Sequence, residues 1–213
     1  LIGACLGTTL ALKIQMTAMP QMVALLNGFG GGASTLVAGA ALFDASQPSA
    51  QMTIAAVMSG IIGGVTFFGS LIAFDKLQEL ILPGKPIHFP GQQFINLLLA
   101  VSAVGVGAMI VMDPTATHLY WVLVLIASVS GVLLTIPIGG ADMPVAIALL
   151  NSYSGLAAAS TGFVLENNVL IITGSLVGAS GLILTRIMCK AMNRSLGNVL
   201  TLSHIHISEP TRP

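Results

Sequence analysis

Charged residues make up only 7% of this 213-residue sequence. A soluble domain carries about a quarter, so the chain has too few to cover a surface that faces water. Aromatic residues reach only 5%, and there are two cysteines. Cys5 and Cys189 lie far apart, in or beside apolar segments, which leaves no disulfide framework and no metal-ligand spacing. Lys+Arg and Asp+Glu stand at seven each, so net charge points to no partner, nucleic acid included. No signal peptide is evident. The chain opens on "LIGACLGTTLAL", without Met and already apolar, which reads as a piece that begins inside a helix. The far end, "TLSHIHISEPTRP" (201–213), lacks helical period and apolar run, and reads as a non-native or disordered tail.

What the sequence has in abundance is oil. Fifty-five per cent of it is hydrophobic, and the mean hydropathy is +0.96. About 20 apolar residues cross about 30 Å of hydrocarbon. Six runs meet that length, at 20–43, 52–74, 94–112, 119–138, 144–165 and 169–188, and a partial one covers 1–12. The predicted fold is therefore all-α, a polytopic transmembrane helix bundle with six full helices and one partial N-terminal helix, occupying residues 1–200. Short turn-rich connections such as "DPTATH" and "GGAD" join the runs, and the longest, 75–93, reads as an irregular surface loop.

Alternating the spans puts Lys13, Lys76, Lys85, Arg186, Lys190 and Arg194 on one side. The other side receives Asp44, Asp113 and Glu166 and no Lys or Arg. The positive-inside rule makes the basic side cytoplasmic, so the chain leaves the membrane there.

One phrase occurs twice. "MPQMVALLN" at 19–27 returns as "MPVAIALLN" at 143–151, and across 19–35 and 143–159 eight of seventeen positions are identical. Pro20 and Pro144 take first-turn positions, where the missing N–H costs nothing. Asn27 and Asn151 follow seven residues later, about 10 Å along each helix. They share a face with small residues: Ala24, Gly31 and Thr35 in one helix, Ala148, Gly155 and Ala159 in the other. Small faces let helices approach closely, and an amide among them needs a partner or a water. As interhelical glue each Asn is ordinary. Two at matched depth point further, to a hydrated polar path between the parallel helices. "GSLVGASG" supplies a second packing stripe, Gly174, Gly178 and Gly181.

Other candidates are weaker. Asp142 opens the 144–165 run, either as an N-cap or as a proton acceptor at the inner mouth. "CKAMNR" places Lys190 and Arg194 in a basic collar, topogenic or docking a soluble domain. "GFGGGA" at 28–33 matches a dinucleotide fingerprint in letters only, since no strand precedes it and no acidic residue follows about 20 positions on. No histidine lies within a span.

"GGADMPVAIALLNSYSG" (139–155) and "IMCKAMNRS" (187–195), with "MTAMPQMVALLNG" and "GGVTFFGSLIAFDKL", resemble the beta subunit of proton-translocating NAD(P) transhydrogenase. The resemblance runs over about residues 1–200. It implies an enzyme subunit of the inner (plasma) membrane, in a complex that couples hydride transfer between NADH and NADP+ to proton movement. The implied partners are the alpha subunit and an NADP-binding domain following the last helix, in a dimer of the alpha–beta unit. NAD and NADP belong to the full complex, and this stretch would bind neither and be inactive alone. The resemblance also implies that Asn151 and Asp142 serve the proton path and that Lys190 and Arg194 couple it to the nucleotide domain. Asn27 stands where many members have a His; others have Asn and place the His on the alpha subunit. The alternatives are a secondary transporter, which would want broken helices around a midplane site, and a structural membrane scaffold.

Overall fold

A computed structural model of the chain describes residues 1–193 and 195–197. Arg194 and the tail 201–213 lie outside the described residues. Seven α-helices are described: α1 (Ile2–Lys13), α2 (Met19–Asp44), α3 (Ala50–Gln78), α4 (Gln92–Met112), α5 (His118–Thr135), α6 (Met143–Val164) and α7 (Asn168–Ala191). Short 3-10 turns, Met16–Ala18 and Gly140–Asp142, lead into α2 and α6. All but α1 are long and apolar enough to cross a membrane, and the described part of the chain is a polytopic helix bundle.

Local chemistry accounts for several helix ends. Ser49 caps α3 by accepting from the Met52 N–H at 3.2 Å, and Asn167 caps α7 by accepting from the Leu170 N–H at 3.1 Å. α3 stops at Glu79, which takes a left-handed conformation (φ 51), while the Asp75 carboxylate accepts from the Ile81 and Leu82 N–H groups just beyond. In the α4–α5 connection Asp113 accepts from the backbone N–H and hydroxyl of Thr115, which holds its carboxyl below the usual range.

Three helix ends lie three or more residues from the ends of the apolar runs, and α7, which continues past 188 to Ala191, is one of them. The run 52–74 predicts an end before Asp75, yet α3 continues to Gln78 and carries Lys76 inside, fully buried. The run 119–138 predicts an end at Ile138, yet α5 stops at Thr135. Pro137 is the cause, because it lacks the N–H that would continue the helix, although Ile136 before it still takes helical angles (φ −52, ψ −41).

α3 sits at the centre, touching α2, α5, α6 and α4; α6 packs on α7, α3 and α2; α4 and α7 form opposite edges. Serines, threonines and glycines line the buried faces of α3 and α2, and the large apolar side chains point outward. That inversion fits a bilayer, where lipid is as apolar as Leu and helices gain by close approach. Some large groups are buried nonetheless, Leu42, Ile110 and Leu123 among them, and the largest is aromatic. Tyr120 of α5 is fully buried in a slot floored by Gly39 and Gly60, and its hydroxyl donates to the Thr35 carbonyl at 2.7 Å.

Candidate functional site

The repeated phrase is repeated in three dimensions, including its lead-in. The turns Met16–Ala18 and Gly140–Asp142 occupy matching positions, and each hands over to a helix with Pro in its first turn. Ala18 (φ −94, ψ 0) and Asp142 (φ −94, ψ −2) adopt the same conformation at the handover. Asp142 thus holds the N-cap position of α6, but its side chain makes no capping hydrogen bond.

From these starts, Asn27 and Asn151 reach the same depth. Asn27 is buried, and its Nδ2 donates to the Ile147 carbonyl of α6 at 3.4 Å, a long and weak contact. Asn151 lies one turn beyond Ile147 and is half-buried. No group among the described residues hydrogen-bonds its amide. Ser154, one turn further, lies against Gly30 of α2. Ile147, Asn151 and Ser154 therefore follow one another along the side of α6 that meets α2. Beside them Ser70 of α3 touches Gly28, and its buried hydroxyl has no partner among the described residues.

Toward the acidic side the polar line continues as a hydroxyl cluster shared by three helices. Ser59 Oγ of α3 lies 2.8 Å from Thr161 Oγ1 of α6, and both reach the Ser34 carbonyl of α2, at 3.1 and 3.2 Å. Toward the basic side the line stops. Ala24, Ala73, Met143, Ala146, Ile147 and Leu150 pack into an apolar layer with Ile138. That layer separates the amides from Asp142, which lies nine residues before Asn151, about 13 Å along the helix.

Below the layer is the basic end. Asp142 is 7% exposed and within electrostatic reach of the buried Cys189 thiol of α7. Val145, Cys189, Met188 and Leu196 pack together there, so the start of α6 is fixed to the end of α7. Lys190 is exposed one residue further on. Arg194 completes the predicted collar but lies outside the described residues.

The predicted packing glycines occupy close contacts, though not between α2 and α6. A methyl on Gly31 would lie 2.8 Å from Thr66 Cβ and 2.9 Å from the Gly63 carbonyl of α3. A methyl on Gly155 would lie 2.5 Å from the Gly178 nitrogen and 2.9 Å from the Gly174 carbonyl of α7. Gly181 lies against Ser152, whose hydroxyl donates to the Gly178 carbonyl at 2.6 Å. Each repeated helix turns its glycine to the helix that follows, and Asn27 of α2 turns its amide to α6.

Sequence reasoning missed Ser34, Ser59, Thr161 and Ser70, and it assigned Lys76 only a topological role. Hydroxyls on membrane helices usually bond back to their own backbone, as Ser34 does to Gly30, so the type alone does not mark those that reach across.

Six apolar spans closed around buried hydroxyls and amides define a multi-pass α-helical membrane protein. Residues 1–211 match the family model described as NAD(P) transhydrogenase beta subunit, and the chain belongs to that family. A relative named NAD(P) transhydrogenase subunit beta, from Rhodospirillum rubrum, is 47% identical over 207 residues, covering 93% of this chain and 44% of the relative. A second of the same name, from a designated strain of that species, matches to the same extent. The chain thus spans less than half the length of the curated relatives it matches.

Proposed function

We propose that residues 1–200 are the membrane proton-conducting part of a transhydrogenase beta subunit, coupling hydride transfer between NADH and NADP+ to proton movement. Asn27 and Asn151 hold water between α2 and α6, and Asp142 is the proton acceptor at the mouth on the basic, cytoplasmic side. Lys190 and Arg194 pass the resulting strain to an NADP-binding domain beyond α7. The NAD site belongs to an alpha subunit, the alpha–beta unit is dimeric, and the complex lies in the inner membrane. This stretch alone binds neither nucleotide and transfers no hydride.

One observation carries the reading: Asn27 crosses to α6 within one turn of Asn151, at the edge of the apolar layer, with Gly30 and Ser154 in contact beyond it. An unpaired amide inside a membrane is costly, and it persists where it does something. Amides do not titrate near neutral pH, so these two order water while Asp142, or a group on the partner, holds the proton. The apolar layer closes the basic side of the path. A gradient drives the cycle only if protonation favours one state of that layer over the other.

The scaffold alternative draws on the same Asn27 contact, which is a bond to backbone. Asn151 makes no such bond and separates the two readings. In the full complex Asn151→Leu is expected to lower gradient-driven hydride transfer about tenfold or more while nucleotide affinity is kept. Unchanged coupling in that variant removes Asn151 from the path and leaves the scaffold.

A further inference from the structure

Of the described lysines and arginines only Lys76 is buried, at 1% exposed. Its Nζ donates to the Ile136 carbonyl at 2.5 Å and the Ile138 carbonyl at 2.8 Å. A buried ammonium needs such acceptors, since leaving its hydrogens unpaired would cost more than the burial returns. The carbonyls are available because of Pro137. Its missing N–H leaves the Leu133 carbonyl without a helical donor, and Gln92 Nε2 of α4 donates there instead, at 2.9 Å. The chain beyond Pro137 no longer continues α5, and other elements take its groups: the Ile87 N–H donates to the Ile136 carbonyl, and the Gly140 N–H donates to the Gly84 carbonyl at 2.9 Å. The end of a helix is also its negative pole, which favours a cation there.

The connection held in this way is the one that delivers Asp142. Gly140 begins the 3-10 turn whose last residue is Asp142, and α6 starts at the next residue. We propose that Lys76 is a positioning residue for proton coupling: by clamping Ile136 and Ile138 it fixes the turn that holds Asp142 at the mouth of α6. The role is distinct from the topological one that any lysine at a helix end serves, because an exposed lysine would serve that as well. It rests on the proposed proton path for its consequence, but not for the clamp itself.

The test uses the full-length subunit in its membrane complex, reconstituted in liposomes, with Lys76→Met, which keeps an unbranched side chain one atom shorter and removes charge and donors. Two readouts are taken: hydrogen exchange of peptides spanning 136–142, and hydride transfer from NADH to NADP+ with and without an imposed proton gradient. The clamp predicts faster exchange over 136–142. It also predicts about a tenfold loss of the gradient-driven rate, with the rate without a gradient and the nucleotide KM within about twofold of the parent. Unchanged exchange over 136–142 overturns the proposal, as does an equal fall of both rates. If Lys76→Met does not accumulate, Gly139→Ala presses the same connection with Lys76 in place, since its methyl would lie 3.1 Å from Pro86 Cγ. The same selective loss is then expected, and an unaltered gradient-driven rate overturns the proposal. Asn151→Leu run in parallel keeps the two ideas apart: normal coupling there sinks the path, while the exchange data still decide the clamp.

Discussion

α2 and α6 begin with the same words and meet different neighbours. Both start from a 3-10 turn, carry Pro in the first turn and place an Asn at the same depth. Yet Asn27 is buried and bonded to its twin helix, while Asn151 is half-buried and makes no bond among the described residues. The following helix also differs. At the repeated glycine, Gly31 meets the Thr66 side chain as well as the Gly63 carbonyl of α3, whereas the atoms nearest Gly155 are all α7 backbone, at Gly174 and Gly178. A repeated sequence sets entry and depth, which are local properties. The chemistry around each Asn is set by what packs beside it, and that comes from elsewhere in the chain.

The glycines give the largest expected difference between the two hairpins, α2–α3 and α6–α7. Overpacking a tight contact costs about 1–3 kcal/mol. At Gly155 an added methyl meets the Gly178 nitrogen at 2.5 Å and the Gly174 carbonyl at 2.9 Å, backbone that can yield only if α7 shifts. At Gly31 the nearest atom is the Thr66 side chain at 2.8 Å, although the Gly63 carbonyl follows at 2.9 Å. Gly155→Ala is therefore expected at the top of that range and Gly31→Ala below it, read as midpoints of thermal unfolding in detergent. The opposite order would mean that α6–α7 is the looser pair and would undo the contrast.

The bundle was legible because a run of about 20 apolar residues, in a chain poor in charge, matches the thickness of a bilayer and little else. Its ends were less so. Pro137 was in plain view and stops α5, but its consequence lies on α3, 61 positions earlier, where Lys76 reaches the freed carbonyls. No local pattern connects the two. The amides were legible because repetition lifts Asn27 and Asn151 above chance. The direction of each helical face was not: positions 24, 27, 31 and 35 share a stripe, yet a stripe is wide enough to serve α6 at Asn27 and α3 at Gly31. The stretch 75–93 reads as an irregular surface loop, and within it Gly84 and Ile87 bond the α5–α6 connection. Proline and glycine content predicts irregular backbone and says nothing of what that backbone holds.

A second contrast sets stability against coupling. Asn27→Leu removes a long contact to a carbonyl that α6 already uses, so it should cost about 0.6 kcal/mol, the average for such bonds in membrane helices. Asn151→Leu removes no bond among the described residues and should leave the unfolding midpoint unchanged or slightly raised. On gradient-driven hydride transfer the order should reverse, with Asn151→Leu the more damaging. Matched effects of the two replacements on both readouts would show that the twins act as one unit and that their different surroundings carry no functional weight.

The smallest effect tests where the two hairpins touch. Ser59 belongs to the first and Thr161 to the second, and their hydroxyls lie 2.8 Å apart with the Ser34 carbonyl within reach of both. Thr161→Val keeps the shape and loses the hydroxyl; Ser59→Ala does the same from the other side. Each is expected to cost about 0.6 kcal/mol, and not above about 1.7. Thr161 retains an alternative acceptor in the Ala157 carbonyl at 3.0 Å, as any threonine in a helix does, and this limits what the cross-helix bond adds. A double-mutant cycle isolates the remainder. A coupling of about 0.5 kcal/mol makes the cluster a tie between the hairpins. Strictly additive costs would mean that the two hydroxyls act independently, each through its own bond to the Ser34 carbonyl, and not through one another.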